Sequence, residues 1–557
     1  MRRIWSDLFL VLLAICMAIG FISYAKQFFS PLREQVEIHL SIWNLPQYTF
    51  FSLSRGLSAY SLSLIFSLLV GFWAAKDKIA EKMIIPLLDV LQSIPFLGFL
   101  PGIVLLFIGI FQHSNVGLEL AAIILMFTNQ VWNMAFGVYH SIRTVPLEKN
   151  ECATAYHFSH FERFRWVEFP FAVLSLIWNS IMSMAGGWFL LMINEAFRLG
   201  NRDFRLPGLG SYMSVAASEG NVPAMIQAIL AMIIMIVFLD QMLWRPLVVW
   251  SQKIPIEETA PSIQSESWFL NILKNSHLLA FFISLFHRLI QKWQDIKAKK
   301  PKKLDFGFLG LITSRISLFI LLALLLLAVF YIGRLLKDVS MENWLHLVRM
   351  LLLTFSRVVI CVVISTLVML PLGLAIGLSE KWGRTLQPIV QTVASFPATL
   401  LFPALIFIFK LLGIPLGIGS IVLMTMGTQW YILFNVMAGA KAMPSDLKEA
   451  ARGFRFNRRQ RFLWLNLPAI FPYLITGVLS ASGGAWNASI VAEYVTYKDQ
   501  VWTIPGIGST ISLAAQNNDY SLLTASILVM LVVVVLINYQ VWQRLYHYSE
   551  KRFALNV

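Results

Sequence analysis

The stretch EAARGFRFNRRQRFLWLNLP runs from Glu449 to Pro468, and ECATAYHFSHFERFRWVEFP runs from Glu151 to Pro170. The two align without a gap, 298 positions apart (Glu151 to Glu449). Each follows a proline, Pro146 or Pro444, that breaks the preceding helical pattern. In the second copy Ser445 and Asp446 offer N-cap oxygens, and LKEAARGF is rich in helix formers apart from Gly453. Each stretch therefore reads as a short helix, a turn and a return into an apolar segment that begins at the closing proline. A basic loop can serve purely as a topology signal. That reading leaves the Glu-Ala-Ala pattern, the fixed distance to the proline and the duplication unaccounted for.

The surrounding chain is a membrane protein by composition. Its 557 residues are 58% hydrophobic and 13% charged, with mean hydropathy +0.70, whereas soluble domains are about 25% charged. The net charge of +15 then belongs to loops facing anionic lipid rather than to nucleic-acid binding. Cys16, Cys152 and Cys361 are scattered and imply neither a disulfide framework nor a metal site. Apolar stretches of about 20 residues fall near 5–25, 56–75, 84–111, 117–141, 170–195 and 223–247, and again near 314–336, 353–378, 385–411, 414–440, 469–496 and 520–543. The opening MRRIWSDLFLVLLAICMAIG has the basic start and apolar run of a signal peptide without a small-x-small cleavage site, and reads as an uncleaved membrane helix. The expectation is an all-α polytopic membrane protein with about 12 transmembrane helices.

Those spans form two halves in register. At the offset of 298, Trp166 matches Trp464, Gly186 and Trp188 match Gly484 and Trp486, Glu195 matches Glu493, and Pro207, Gly208 and Gly210 match Pro505, Gly506 and Gly508. Earlier in each half the offset is 302, pairing Arg55 with Arg357, Pro86 with Pro388, Pro95 with Pro397 and Pro101 with Pro403. Lys76, Lys78, Lys82, Lys381, Arg384, Arg544 and both quoted loops fall on one side, which the positive-inside bias makes cytoplasmic. Arg198, Arg202 and Arg205 fall on the other. An even number of crossings per half makes the repeat parallel, as two six-helix units. The expected division is a first domain 1–250 with its loop at 146–170, a cytoplasmic linker 251–313, and a second domain 314–557 with its loop at 444–468. Within the linker, 268–293 mixes apolar and basic residues as an amphipathic surface helix would.

Glu449, Ala450, Ala451 and Pro468, with Glu151, Ala153 and Pro170 in the first copy, resemble the EAA loop of binding-protein-dependent ABC importer permeases. The resemblance implies a type I ABC importer permease-like fold and a chain that is a fused pair of permease subunits. It implies that each loop is a coupling helix seated in a cytoplasmic ABC ATPase, hence two ATPase copies. ATP and Mg would be bound by that partner, and no cofactor by this chain. It further implies a periplasmic or lipid-anchored substrate-binding protein, and a multi-pass location in the bacterial inner membrane with both termini cytoplasmic. Two departures stand out. Cys152 replaces the middle alanine, and His157 and Arg455 occupy the family's usual glycine position, so the turn is expected to be built differently. No Walker A sequence occurs, since GIGST at 506–510 lacks the lysine.

GGAWNASIVAEY at 483–494 resembles the nitrate, sulfonate, taurine and bicarbonate group of these permeases. Candidates for the translocation path are Gln130, Trp132, Trp188 and Glu195 in the first half, with Gln429, Trp430, Trp486, Asn487 and Glu493 in the second. Polar groups within spans are functional suspects by default. The loops from Pro207 and Pro505 are expected as turns on the outer face that meet the binding protein. The rival is an ion-coupled secondary transporter with parallel repeats, whose acidic candidate would be Asp240, matched by Asn538. The nine histidines are dispersed and no HExxH or paired-carboxylate motif occurs, so no catalytic residue or metal site is expected.

Overall fold

The computed structural model describes residues 2–32, 36–93, 96–189, 191–199, 202–251, 267–277, 279–280, 284, 319–320, 322–323, 326–327, 329–498 and 500–553. The first half runs through α1 (Arg2–Phe28), α2 (Leu45–Lys76), α3 (Lys78–Ser93), α4 (Phe96–Ile110), α5 (Val116–Arg143) and the loop helix α6 (Leu147–Ala155). It continues through α7 (Phe169–Phe189), the hairpin β1 (Ala196–Leu199) and β2 (Arg202–Arg205), α8 (Leu209–Glu219) and α9 (Val222–Leu239). After α10 (Trp268–Asn275) the second half repeats this order. It comprises α11 (Met341–Leu378), α12 (Glu380–Ala394), α13 (Ala398–Leu412), α14 (Leu416–Ala442), the loop helix α15 (Ser445–Gly453), α16 (Leu467–Ala492), the hairpin β3 (Tyr494–Tyr497) and β4 (Gln500–Thr503), α17 (Ile507–Gln516) and α18 (Tyr520–Ile537).

The repeat extends to fine features. Asn221 caps α9 by accepting from Ala224 N, and Asp519 caps α18 by accepting from Leu522 N. π-helical turns occur in equivalent pairs. Phe164–Glu168 and Arg461–Asn466 lead from the loops into α7 and α16, while Asp240–Trp244 and Asn538–Trp542 follow α9 and α18.

Among the described residues eight helices are long and apolar enough to cross a membrane, or nine if the bent pair Phe164–Val173 and Ser175–Phe189 is one span. The expected spans 84–111 and 385–411 are not single helices. Each is split, as α3 and α4 and as α12 and α13. Proline has no N–H to continue a helix and disfavours helical geometry in the residue before it, and Pro397 stands as the N-cap of α13. Of the expected span 314–336, residues 329–336 are described and helical, and most of the rest lies outside the described residues. Half of the amphipathic stretch 268–293 also lies outside the described residues. Its first part, α10, is capped by Ser267 and packs on α1. Trp268 meets the Phe9 ring edge-on, Trp268 Nε1 donates to Gln241 Oε1 at 2.8 Å, and Ser276 Oγ donates to Asp7 Oδ1 at 2.6 Å.

Each half is built on three packed helices, α2, α5 and α7 in one and α11, α14 and α16 in the other. The split spans carry the join: α4 packs on α17 and α18, and α13 packs on α8 and α9, a reciprocal exchange between halves. Without a hydrophobic drive between helices in lipid, close backbone approach at small residues does much of the holding. A Cβ at Gly71 would stand 2.9 Å from the Ala135 carbonyl oxygen and from Val138 Cβ, and one at Gly373 would stand 2.7 Å from Val436 Cγ1, the same crossing in each copy. Gly71→Val and Gly373→Val are expected to cost about 1–3 kcal/mol each by overpacking. Gly102→Ala, with nothing within 4 Å of the added carbon, should keep the wild-type melting midpoint. Thermal unfolding of the detergent-purified chain followed by size-exclusion fluorescence makes the comparison.

Candidate functional site

At the end of each half away from the loops a buried carboxylate caps a helix. Glu195 is fully buried; its Oε1 accepts from Arg55 Nη1 at 2.7 Å and from Ser52 Oγ at 2.7 Å. Its Oε2 accepts from the Gly210 N–H at 2.7 Å, and Ser52 Oγ in turn accepts from Leu209 N at 2.8 Å. Two of the orphan donors at the start of α8 are thereby satisfied, Leu209 N by a hydroxyl and Gly210 N by an anion at the positive end of the helix. In the second half Glu493 Oε1 accepts from Arg357 Nη1 at 2.7 Å and from Thr354 Oγ1 at 2.8 Å, its Oε2 accepts from Gly508 N at 2.9 Å, and Thr354 Oγ1 accepts from Ile507 N at 2.9 Å. This accounts for the repeated Pro-Gly-x-Gly. Gly208 and Gly506 have extended backbones that any residue adopts, but a Cβ on either would overlap the glutamate carboxylate.

The two clasps differ in strength. In the first, Arg55 also donates to Glu119, at 2.6 Å from Nε and 2.7 Å from Nη2, and Tyr24 OH donates to Glu119 at 3.1 Å. Gly417 stands at the position of Glu119 in the second half. The Arg357 side chain is 14% exposed where that of Arg55 is fully covered.

Between the halves, on the loop side of the clasps, lies a cavity of about 510 Å³. Of the sequence-predicted path residues, Trp430 and Asn487 line it, together with Asn129, Trp178, Tyr431 and Lys441. The others sit elsewhere. Glu195 and Glu493 are held in the clasps. Gln130 is buried against Met184 Sδ at 3.5 Å and against Gly187. Trp132 packs in a satellite cluster with Ala80 and Leu88. Trp188 is buried over Gly56, where a Cβ would collide with its ring, and Trp486 stacks on Phe355 with ring centroids 6.2 Å apart. Gln429 is partly buried on α14 and is not among the lining residues. The outer end of the cavity is shut. Phe189 fills the space over Gly427, Thr399 Oγ1 donates to the Phe189 carbonyl, and Lys498 N donates across the halves to the Ala217 carbonyl at 3.0 Å.

The two loops are alike in detail. His157 and Arg455 hold φ of 52° and 51°, the left-handed conformation that ends a helix. Phe158 N donates to Ala153 O and Phe456 N to Ala451 O, closing the same wide turn. The expectation of a differently built turn is thus corrected: the turn takes the geometry glycine favours, with other residues held in it. Each loop then starts a second helical turn with a reciprocal cap. Ser159 N donates to Glu162 Oε2 at 2.8 Å while Glu162 N donates to Ser159 Oγ, and Asn457 with Gln460 does the same in the second copy. The Ser159 hydroxyl and amide hold the Glu162 carboxyl below its ordinary range. Glu151, Cys152, Glu449 and Ala450 are exposed, whereas Ala153 and Ala451 are buried against their own chain, Ala451 with Met443, Leu465 and Ala469. Pro170 and Pro468 are partly buried in the first turns of α7 and α16.

Sequence reasoning passed over Arg55, Arg357, Ser52, Thr354 and Glu119. The signal was present in part, because an arginine kept at the same place in two apolar spans is a functional suspect by default. Asp240, the acidic residue of the rival reading, is paired with Arg245 at 3.0 Å. Among the described residues no group of three or more His, Cys, Asp or Glu is placed to hold a metal ion.

Comparison with known proteins bears on this arrangement. Residues 67–243 and again 368–554 match the family described as binding-protein-dependent transport system inner membrane component. The nitrate import permease protein NrtB of Synechococcus elongatus is 25% identical over 143 residues, covering 26% of this chain and 50% of that protein. The bicarbonate transport system permease protein CmpB of the same species is 28% identical over 180 residues, covering 32% and 62%. The taurine transport system permease protein TauC of Escherichia coli is 23% identical over 197 residues, covering 35% and 66%. The chain thus spans about half the length of the nitrate permease that it matches.

The clasps yield a stability test. Arg55→Met strands two buried carboxylates and Arg357→Met strands one, and breaking a buried pair from one side costs about 3–5 kcal/mol. Arg55→Met should abolish recovery of folded protein. Arg357→Met should lower the melting midpoint, and adding Glu493→Gln to it should restore part of the loss.

Proposed function

The chain belongs to the family of binding-protein-dependent transport system inner membrane components, whose domain it carries twice, and on that footing we propose that it is the permease of an ATP-driven ABC importer. Both halves are in one chain, as domains 1–250 and 314–557 joined by the cytoplasmic linker 251–313. The translocation path runs between them through the central cavity. Substrate selection falls mainly to a periplasmic or lipid-anchored binding protein that meets the outer hairpins, and the solute is a small anion of the nitrate, sulfonate or bicarbonate kind. The chain lies in the bacterial inner membrane with both termini cytoplasmic.

The observation that carries this reading is the pair of cytoplasmic loops. Each presents an exposed glutamate on a short helix, at Glu151 and at Glu449, and each holds that helix with the same left-handed turn and the same reciprocal cap. Two matched docking helices suit two copies of a separate ABC ATPase, which binds the ATP and Mg and performs the hydrolysis. The alanines divide the work: Ala450 faces the partner, while Ala153 and Ala451 seat the helix on its own chain. With the outer end shut by Phe189, Thr399 and Lys498, the cavity corresponds to a state open toward the loops. Closure of the ATPases on their nucleotide would drive the loops together and reverse that bias.

Affinity purification of the tagged chain from its native host tests the proposal. An ABC ATPase is expected at about two copies per chain. Glu449→Arg and Ala450→Trp should each lower its recovery about tenfold, the effect of ~1.4 kcal/mol at one contact, with unchanged yield of the permease. Recovery of the chain alone, with solute uptake intact after ATPase depletion, would overturn the reading.

A further inference from the structure

The two loops share a frame and differ in charge. In α15 and the turn that follows it, residues 445–460 hold five basic and two acidic side chains, a net charge of +3. The equivalent residues 147–162 hold one basic and three acidic side chains, a net charge of −2 with histidine neutral. The change is concentrated at four positions. Thr154, His157, His160 and Phe161 stand where the second loop has Arg452, Arg455, Arg458 and Arg459. The exposed aromatic of each loop is kept, as Tyr156 in one and Phe454 in the other.

All four arginines are exposed, and among the described residues none of them takes part in an ion pair. Elsewhere in the chain Arg55, Arg163, Arg245 and Arg357 each face a carboxylate. Four like charges within eight residues, Arg452 to Arg459, repel one another. An anionic surface would relieve that repulsion.

Anionic lipid and an acidic protein both offer such a surface, and two observations favour protein. Arg452 stands on α15 itself, three residues beyond the exposed Glu449 and so on the same face of that helix. The helix from Arg458 to Ala492 is 35 residues long, about 52 Å at 1.5 Å per residue, against about 40–45 Å for a bilayer with its headgroups. Its charged side chains, Arg458, Arg459 and Arg461, are all at its start, so the excess length projects there. The arginines thereby stand beyond the headgroups.

We propose that the second loop docks on a carboxylate-rich surface of the ATPase through Arg452, Arg455, Arg458 and Arg459, and that the first loop, with Glu148, Glu151 and Glu162 exposed, docks without that attraction. The proposal rests on the coupling reading of the loops and goes beyond it, because the features the loops share would give both the same hold. One ATPase used twice is then held more tightly under the second half than under the first, and salt weakens the second contact selectively.

The test uses the full chain in nanodiscs of zwitterionic lipid and the ATPase recovered with it, purified separately. Affinity is read by biolayer interferometry at roughly 50 mM and roughly 250 mM salt. The wild-type affinity should fall about tenfold across that range. Arg452→Gln, Arg455→Gln, Arg458→Gln and Arg459→Gln combined should weaken binding about tenfold at the lower salt and leave it nearly insensitive to salt, whereas the matching quadruple Arg→Lys variant should bind as wild type does. Glu148→Gln with Glu162→Gln should leave the affinity unchanged or raise it. The proposal is overturned if the glutamine variant binds the ATPase as wild type does, or if the first-loop variant loses as much affinity. It is also overturned if the arginines matter only once anionic lipid is added to the nanodisc, which would assign them to the membrane. None of these outcomes touches the coupling reading, which would instead be sunk by a wild-type chain that binds no ATPase at either salt.

Discussion

A carboxylate removed from water must be matched on every lone pair, and Glu195 and Glu493 are matched by arginine, hydroxyl and backbone N–H together. That requirement ties three separate pieces of chain at each outer end: a long span bearing the arginine, the end of the helix bearing the glutamate, and the short helix that begins at Pro-Gly-x-Gly. Glycine follows from it, because the carboxylate occupies the space a side chain would need. The hairpin between glutamate and proline is then closed as a consequence, with Leu206 N donating to Glu195 O at 2.8 Å and Ile504 N to Glu493 O at 3.2 Å. The second hairpin in turn reaches across to α8 through Lys498. The closure of the cavity on its outer side thus stands on the two clasps.

The halves keep the framework and diverge at particular points. Clasp, glycine crossings, loop turns and π-helical turns recur at fixed offsets. Glu119 gives way to Gly417, Glu81 to Gly383, Phe189 to Asn487 and Glu168 to Asn466. The last matters for the loops. Glu168 takes ion pairs from Lys76 and Arg163, anchoring the first loop to the end of α2. In the second half Asn466 Oδ1 and Arg461 Nε are buried without partners, and Leu378 stands at the position of Lys76. One loop is pinned by charge and the other is held by packing of Ala451, Leu465 and Ala469. Fusion into one chain permits such differences, since each half meets only its fixed counterpart.

The fold class and the repeat were legible because they are written in apolar run length and in the spacing of Trp, Pro and Gly, which a single sequence displays. The exposed loops were legible for the same reason, down to Glu151 and Glu449. The division of the third spans was not, because an apolar stretch interrupted by proline reads equally as a kinked helix or as two helices. Only the exchange of α4 and α13 between halves favours the second. Glu195 and Glu493 were singled out as path candidates and lie instead in the clasps, where their arginine partners stand 140 and 136 positions away in sequence, beyond anything periodicity reports. The left-handed turns at His157 and Arg455 were misjudged from residue type. A conformation costing about 1–2 kcal/mol for a residue with a Cβ is tolerated there because the wide turn and the cap that follows hold it on both sides.

The same helices join all three parts of the site. α16 begins at the π-helical turn that leaves the second loop, carries Gly484 and Asn487 on the cavity wall, and ends at Glu493 in the clasp. It is unbroken for 26 residues, about 39 Å at 1.5 Å per residue. α7 has the same three stations in the first half, from the turn at Phe164–Glu168 past Trp178 and Gly186 toward Glu195. Under the proposed function, a push on the second loop acts on one lever that reaches both the cavity and the outer closure, whereas the first-half helix is bent between Val173 and Ser175 and ends at Phe189. The wide turn at the foot of each helix is where the backbone ladder is least regular, and so where bending costs least. Opening at the top must disturb a clasp, and the second, with one carboxylate and a partly exposed arginine, is the weaker of the two. Under that function, the asymmetry between the clasps makes the second half the easier one to open.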